Sequence, residues 1–344
     1  MSDPAAPIES GQKGNTEKPG KITPAMQQFY DAKEQYPDCV IFFRMGDFYE
    51  TFCEDAQICA RELDITLTSR GRMPDGQDIP LAGVPYHAVD TYLSRMISKG
   101  YKVAICEQVE DPKKAKGIVK RAVVRVVTPG TVIDAALLST EQARYLMAVY
   151  PDQKKKRVGL SFIDISTGDF QFTEIPSQDM QDGIRSEAAR YHPSECIIPA
   201  GAGEDLVRFL HSIVPLVSSQ DSSLFAKASA EEVLCRQFTI SNPEDLPCAG
   251  YVAGTIAAGA ALAYAQKTQF DSLSHIRSVH RSDIGSHLVL DAVTLRNLEV
   301  LQNIRDRTEE GTLVATIDMT LTPMGRRLLR QRIAAPLLDP KAIN

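Results

Sequence analysis

Apolar residues in the first 130 positions switch between the spacing of buried strands and the spacing of amphipathic helices. Thr23 followed by Pro24 is typical of a helix start, and Gly100 is typical of the residue that follows a helix. A polar, glycine-containing stretch predicts a turn at 67–71 and a loop at 72–78. The predicted strands lie at 39–43, 101–107 and 118–127, and the predicted helices begin at Thr23 and span 56–63 and 85–99.

The middle of the chain also mixes helical and extended patterns. Two apolar runs around a glycine turn, at 158–165 and 170–174, predict a β-hairpin. An alanine-rich stretch predicts a long helix at 249–266. The remaining predicted elements are helices at 137–144 and 181–191 and a strand at 195–198. This alternation is typical of an α/β layer domain.

Beyond about residue 271 the pattern becomes helical. Thr322 followed by Pro323 predicts another helix start, and Pro336 ends that helix. We expect its arginines to face solvent or another domain rather than DNA; they are Arg326, Arg327, Arg330 and Arg332. A one-sided apolar stripe at helical spacing lies before the helix that begins at Thr322. The stripe comprises Leu290, Val293, Leu298, Leu301 and Ile304.

These patterns predict a multidomain α/β chain that ends in an all-α segment. Residues 1–20 contain Pro, Gly, Ser and Lys without an apolar run, which indicates a disordered tail rather than a signal peptide. We expect a mixed α/β domain at 21–128, an α/β domain at 129–268 and a helical segment at 269–344.

Composition excludes several classes of protein. The chain is 43% hydrophobic and 24% charged, and it has no apolar run of about 18 residues, so we expect no membrane span. Seven cysteines without a CxxC pair indicate reduced thiols and a cytoplasmic protein. Six histidines without a ligand-like spacing predict no metal site.

The net charge of −6 is unevenly distributed. Residues 129–268 hold 17 acidic and 11 basic side chains, whereas residues 21–128 hold 15 of each. A basic run without acidic residues lies inside the first domain and comprises Lys113, Lys114, Lys116, Lys120, Arg121 and Arg125. Such a run is commonly a solvated face, but it also suits an edge that contacts phosphates.

The most informative stretch is Arg-Met-Gly-Asp-Phe-Tyr-Glu-Thr-Phe at 44–52. In extended backbone Phe48 and Glu50 would point to the same face, so a ring and a carboxylate could reach one target. An aromatic wedge can unstack a base step at a cost on the order of a few kcal/mol, and a mispaired step yields more easily. Glu50 would be repelled by phosphates unless it meets a donor on a disturbed base. The alternative is a core phenylalanine followed by a helix-initiating glutamate.

Four segments in order resemble the amino-terminal region of the MutS family of DNA mismatch-repair proteins. They are 44–52, Leu-Ala-Gly-Val-Pro-Tyr-His-Ala at 81–88, Val-Ala-Ile-Cys-Glu-Gln-Val at 103–109 and Val-Thr-Pro-Gly-Thr at 127–131. The resemblance runs from about Thr23 to the last residue. It implies a mismatch-binding domain, a connector with a ribonuclease-H-like fold and the beginning of a helical core or lever domain.

The resemblance also implies roles for particular residues. Phe48 would be the wedge that stacks on the mispaired base, and Glu50 would form a hydrogen bond with that base. Tyr49 would support the motif from the opposite face, and Gly46 and Asp47 would shape the turn before it. Arg70, Lys120 and Arg121 are candidate phosphate contacts, although a surface arginine beside a turn explains Arg70 equally well.

The family resemblance leads us to expect no enzyme activity in this chain. No Gly-x-x-x-x-Gly-Lys-Ser/Thr motif is present, so ATP and Mg²⁺ would bind in an ATPase domain of the family that this chain lacks. Expected partners are mismatched double-stranded DNA and a MutL-type repair protein. The full-length family forms homodimers, but a truncated chain could be a monomer. We expect a cytoplasmic, nucleoid-associated location.

Two other classes of function stay open at this point. Asp164 lies late in the predicted hairpin's first strand, where ribonuclease-H-type nucleases keep one metal-binding carboxylate. Such catalysis needs several convergent carboxylates, and no partner set can be identified from spacing. The other hypothesis is a protein-interaction module that binds the MutL-type partner through the connector.

Overall fold

A computed structural model of the chain describes residues 22–72, 76–110, 117–132, 144–270, 273–282, 287–288, 290 and 292–343. Within these residues it contains two mixed β-sheets with helices on their faces, followed by shorter helices. This confirms the predicted multidomain α/β class. Several predicted features lie outside the described residues: the tail at 1–20, most of the helix at 137–144, and Lys113, Lys114 and Lys116.

The first sheet has six strands in the order β3-β4-β2-β1-β5-β6. The pairing of β1 with β5 is parallel and the other pairings are antiparallel. The elements of this part, in chain order, are α1 (Pro24–Gln35), β1 (Val40–Met45), β2 (Phe48–Phe52), α2 (Cys53–Leu63), β3 (Thr68–Arg72), β4 (Asp78–Pro85), a 3₁₀ turn (Tyr86–Ala88), α3 (Val89–Ser98), β5 (Val103–Gln108) and β6 (Arg121–Val127).

Helices cover the two faces of the first sheet unequally. One face packs against α2 and α3 through a cluster that includes Phe42, Tyr49 and Leu93. The other face packs against α1, whose Phe29 ring lies 6.0 Å from Phe43 and 5.1 Å from Phe52, measured between ring centroids. Thr23 begins α1 as predicted, because its hydroxyl accepts a hydrogen bond from the backbone N–H of Met26 at 3.3 Å.

Two segments of the first domain differ from their predictions. The predicted turn at 67–71 is largely the strand β3, and the segment 78–85, which was not predicted as a strand, is β4. All residues of β3 are exposed, so its sequence lacks the apolar alternation that marks a half-buried strand. β3 is an edge strand that pairs with β4 through a bulge, and such pairing can form without an apolar pattern.

The second sheet also has six strands, in the order β11-β10-β7-β8-β9-β12. The predicted hairpin is present as the antiparallel pair β8 and β9, and the predicted helices at 181–191 and 249–266 are present within one to three residues at each end. The elements are β7 (Leu146–Asp152), β8 (Arg157–Asp164), β9 (Asp169–Pro176), α4 (Met180–Tyr191), β10 (Glu195–Pro199), α5 (Glu204–His211), β11 (Leu216–Gln220), α6 (Lys227–Phe238), α7 (Val252–Gln269) and β12 (His280–Arg281).

The alanine-rich helix α7 lies unusually close to its neighbours. A Cβ atom added at Gly159 on β8 would lie 2.0 Å from the carbonyl oxygen of Ala253, and one added at Gly259 would lie 2.4 Å from Ala230 on α6. Both positions therefore need glycine for close approach, and the small residues of α7 let the sheet and α6 pack directly against its backbone.

The last part of the chain contains four short helices among the described residues: α8 (Ala292–Asn297), α9 (Leu313–Ile317), α10 (Pro323–Ala334) and α11 (Pro340–Ile343). The continuous apolar stripe predicted from Leu290 to Ile304 was wrong as one helix. The helix α8 ends at Asn297, Glu299 adopts a φ of +49°, and Leu298 and Ile304 are exposed. The chain turns because Val300 folds back onto Leu295, to whose carbonyl it donates at 3.1 Å.

Helix α10 begins as predicted and uses its arginines within the protein. Thr322 caps it by accepting from the backbone N–H of Gly325 at 3.1 Å. Arg326 forms ion pairs with Glu309 at 2.8 Å and Asp318 at 3.0 Å. Arg327 donates to the hydroxyl of Ser166, in the second domain, at 3.0 Å. These contacts agree with arginines that face other parts of the protein rather than DNA.

The two sheets described above meet around one buried carboxylate. It belongs to Glu195 at the start of β10, which has 0% exposure. Its oxygens accept hydrogen bonds from the hydroxyls of Thr128 and Tyr264, the latter at 2.6 Å, and from the backbone N–H of Gly130 at 3.2 Å. The ammonium group of Lys102, from the first domain, lies 3.8 Å away. Burial and the Glu195 carboxylate raise the pKa of Tyr264 well above its ordinary value, so its hydroxyl stays a donor.

Replacing Glu195 with alanine should strongly destabilise the protein. The substitution removes one of the two carboxylates facing the buried Lys102 and leaves the Tyr264 hydroxyl without its acceptor. Breaking a buried pair from one side costs roughly 3–5 kcal/mol. Urea unfolding should show that loss, whereas Glu232→Ala, which breaks the exposed pair with Arg236, should change the free energy of unfolding by less than about 0.5 kcal/mol. Equal effects of the two variants would contradict the role given to Glu195.

Candidate nucleic-acid interface

A two-residue turn places Phe48 at the end of a hairpin. Met45 and Phe48 are opposite each other in the ladder between β1 and β2, so Gly46 and Asp47 form the loop. Gly46 has a φ of +61°, which the first position of a type II′ hairpin turn requires. The turn is fixed from two sides, because Arg44 donates to the carbonyl of Gly46 at 2.6 Å and Tyr86 donates to the carbonyl of Asp47 at 2.8 Å.

The first three side chains of β2 alternate between surface and core. Phe48 is 47% exposed, whereas Tyr49 is 3% exposed. Glu50 lies two residues beyond Phe48 and therefore on the same face of the sheet. The exposure of Phe48 excludes the alternative of a core phenylalanine. The ring and the carboxylate share one face, as their spacing predicts.

Gly83 lies beside this ring and carboxylate. It pairs with Glu50 across β2 and β4, and its neighbours Ala82 and Val84 point into the core. A Cβ atom on Gly83 would lie 3.8 Å from Cδ1 of Phe48 and 3.9 Å from Cγ of Glu50. The surface between ring and carboxylate is therefore bare backbone. We call the exposed surface formed by Phe48, Glu50 and Gly83 the Phe48 face.

Arg70 neutralises the carboxylate of the Phe48 face. One guanidinium nitrogen, Nη1, lies 3.1 Å from Oε1 and 3.2 Å from Oε2 of Glu50. Arg70 belongs to β3, and β4 lies between β3 and β2, so its side chain extends across β4 to reach Glu50. Burial raises the pKa of Glu50, and the positive charges of Arg70 and Arg121 offset part of that rise. The Arg70 side chain itself is 60% exposed.

Tyr49 anchors the strand from the opposite face. Its hydroxyl donates to the carboxylate of Glu107 on β5, and its ring centroid lies 6.3 Å from that of Phe42 and 6.0 Å from that of Tyr86. Burial and the Glu107 carboxylate raise the pKa of Tyr49, so the hydroxyl remains a donor. The guanidinium carbon of Arg44 lies 3.5 Å from the Tyr86 ring centroid and braces the same corner.

The two candidate phosphate contacts at the start of β6 differ in their geometry. Lys120 is exposed, and its described contacts are made by its backbone: its N–H donates to Glu110 at 2.6 Å, and its carbonyl accepts from the N–H of Val109 at 2.9 Å. Arg121 turns inward, where it donates to the carbonyls of Arg44 at 2.6 Å and Val119 at 2.8 Å. Its phosphate role stays a prediction, and the geometry favours a structural role because these donors are already used.

The described residues do not support the nuclease hypothesis. Asp164 is buried, and its Oδ1 accepts from the backbone N–H and hydroxyl of Ser166 at 2.9 Å and 2.7 Å. In the part of the chain that the structure describes, no group of three or more His, Cys, Asp or Glu side chains is placed to hold a metal ion. No helix within that same part is long and apolar enough to cross a membrane.

Several residues of this region were not singled out by sequence reasoning. Gly83 and Tyr86 lie in the 81–88 segment, and Glu107 lies in the 103–109 segment, both of which carry the family resemblance. The roles of these residues depend on the pairing of β2 with β4 and of β1 with β5, and the local sequence does not predict that pairing. The recurrence of these segments in a family was the one available signal.

Comparison with known proteins gives one consistent result. Family models described as MutS domain I, MutS domain II and MutS domain III match residues 23–136, 144–277 and 293–344, respectively. The DNA mismatch repair protein MutS of Methanococcoides burtonii is 48% identical over 326 residues, which cover 94% of this chain and 36% of that protein.

Other relatives show the same coverage. The DNA mismatch repair protein MutS of Methanosarcina acetivorans is 47% identical over 94% of this chain and 37% of its own length. The protein of the same name from Symbiobacterium thermophilum is 42% identical over 95% of this chain and 37% of its own length. The chain thus spans little more than a third of the length of these curated relatives.

Replacing Arg70 with alanine should raise the pKa of Glu50 further. The substitution removes the positive charge that offsets burial of the carboxylate, so the protonated form becomes more favourable. A ¹³C NMR titration of the Glu50 side chain measures this pKa. Arg72→Ala is the matched control, because Arg72 lies on the same strand but pairs with Asp78 at 3.3 Å. An unchanged pKa in Arg70→Ala would show that the ion pair does not act on Glu50.

Proposed function

The chain belongs to the MutS family of DNA mismatch-repair proteins, and from this premise we propose that it recognises mispaired or looped-out bases in duplex DNA through the Phe48 face. The observation that carries the proposal is the exposed ring of Phe48 beside the Glu50 carboxylate, on a sheet face that no helix of the described residues covers at this point. An exposed aromatic ring held by a rigid strand suits insertion into a base stack.

In this proposal Phe48 tests how easily the duplex opens. Separating a base step costs on the order of a few kcal/mol, and the cost is lower where a base is mispaired or already unstacked. The protein therefore gains from stacking on a disturbed base and loses at an intact step. The turn at Gly46 and the buried Tyr49 hold the Phe48 ring in its exposed position before DNA binds. This preorganisation lowers the free-energy cost of binding.

Glu50 would provide the second part of the recognition. A carboxylate close to the phosphates of DNA is repelled, and Arg70 reduces that repulsion by pairing with it in the free protein. A displaced base with a hydrogen-bond donor can take the place of Arg70 on the carboxylate. Where no donor reaches Glu50, the carboxylate stays repelled by the phosphates and penalises binding to undamaged DNA.

Basic residues at the edge of the first sheet would position the duplex. Of the two candidates Lys120 and Arg121, the exposed Lys120 is the better placed to contact a phosphate. Arg70 becomes available to a phosphate when it leaves Glu50. Such contacts supply affinity without sequence information and depend strongly on salt.

The remaining expectations are also proposals. The chain would contribute recognition, bind no cofactor of its own, and leave ATP hydrolysis to the ATPase domain of the full-length family. Its partners would be mismatched double-stranded DNA and a MutL-type repair protein, and the assembled form would be a homodimer. The location would be the cytoplasm, in association with the nucleoid. These statements rest on family membership.

Replacing Phe48 with alanine should remove discrimination between mismatched and perfect duplexes. The loss should be about 1–3 kcal/mol of relative binding free energy, because the stacking contact exists only at a disturbed base. The measurement is the ratio of the two dissociation constants, determined for the 344-residue chain at one salt concentration.

Phe270→Ala provides the control for the Phe48 substitution. Phe270 is 51% exposed, as accessible as Phe48, but it lies at the end of α7 in the second domain. This variant should keep the wild-type ratio. Discrimination that survives in Phe48→Ala would refute the wedge.

A further inference from the structure

We propose that Gly83 is a specificity-determining residue, because its missing side chain leaves the gap that a displaced base enters between Phe48 and Glu50. The inference rests on the proposed function and deepens it. It assigns the shape of the recognition surface to a residue on β4, a strand that carries neither the ring nor the carboxylate.

The usual structural reasons for glycine do not apply at Gly83. Its backbone is not in the left-handed region, so another residue could adopt the same conformation. A Cβ atom would meet its nearest neighbour, the carbonyl oxygen of Tyr49, at 3.7 Å, which is an ordinary van der Waals contact. A side chain at this position would make β4 more stable, because glycine weakens the interior of a strand. The residue type is therefore explained by neither folding nor packing.

The position of Gly83 gives a functional reason instead. It lies in register with Glu50 and on the same face as Phe48, while Ala82 and Val84 on either side are buried. The Cβ atom of a side chain at Gly83 would contact both residues, at 3.8 Å from Cδ1 of the Phe48 ring and 3.9 Å from Cγ of Glu50. That is where a base must lie if it is to stack on Phe48 and contact Glu50 together.

Arg70 shows that the space above β4 admits a planar polar group. Its side chain extends from β3 across β4 and brings the guanidinium to both oxygens of Glu50. A base that carries N–H donors has similar planarity and could use the same carboxylate. The free protein would therefore hold its own guanidinium on the carboxylate that the ligand uses.

The test is a size series at Gly83 in the full chain, comprising Gly83→Ala, Gly83→Val and Gly83→Leu. The ratio of dissociation constants for perfect and mismatched duplexes should fall about two- to threefold with alanine and about tenfold or more with leucine, as the gap fills. Thermal melting should show no loss of stability with alanine, because its Cβ would meet no atom closer than 3.7 Å. The same should hold for valine and leucine, because position 83 is exposed and their further atoms can extend into solvent.

Two matched variants distinguish the effect of filling the gap from the effect of an added leucine elsewhere and from the loss of the ion pair with Glu50. Gly203→Leu places the same side chain at a position with no atom within 4 Å, in the second domain, and should leave the ratio unchanged. Arg70→Ala removes the ion pair with Glu50 without filling the gap, so it should retain more discrimination than Gly83→Leu.

The possible outcomes are distinct. A ratio that falls with side-chain size at unchanged melting temperature supports the role of Gly83. If the Gly83→Leu variant discriminates as well as the wild-type chain, this inference is overturned. The proposed function remains intact in that case, provided that Phe48→Ala abolishes discrimination. A wild-type chain that does not distinguish the two duplexes overturns the proposed function and this inference with it.

Discussion

The burial of Tyr49 is the constraint on which the recognition surface depends. Its hydroxyl is bonded to Glu107 and its ring packs between those of Phe42 and Tyr86. Side chains alternate along a strand, so burying Tyr49 forces Phe48 and Glu50 to the opposite face. A register slip of one residue would reverse this arrangement and expose the tyrosine to solvent. The core thus determines which way the candidate wedge points.

The uneven cover of the sheet turns this constraint into a site. Helix α1 packs over Phe43 and Phe52 through Phe29, but Phe48 remains exposed beyond it. An exposed aromatic ring forgoes the hydrophobic gain of burial, which a partner can restore by stacking on it. Burial likewise disfavours the charge of Glu50, and the arginine that pairs with its carboxylate, Arg70, is itself accessible to solvent.

Sequence patterns predicted the elements that carry their own local signals. The caps at Thr23 and Thr322, the hairpin of β8 and β9 and the shared face of Phe48 and Glu50 follow from spacing and residue type. Features that depend on distant pairing could not be predicted in this way. The exposed strand β3, the inward turn of Arg121 and the interruption after α8 are each decided by tertiary contacts. Gly83 belongs to the same group, because its meaning comes from the strand beside it.

The most direct measurement of the wedge is ¹⁹F NMR of the chain carrying 4-fluorophenylalanine in place of Phe48. The free protein should give the resonance of a solvent-exposed ring. Addition of a mismatched duplex should shift that resonance through stacking on a base, and a perfect duplex of the same length and ends should leave it nearly unchanged. Equal shifts with both duplexes, or no shift with either, would contradict the proposal that Phe48 detects mispaired bases.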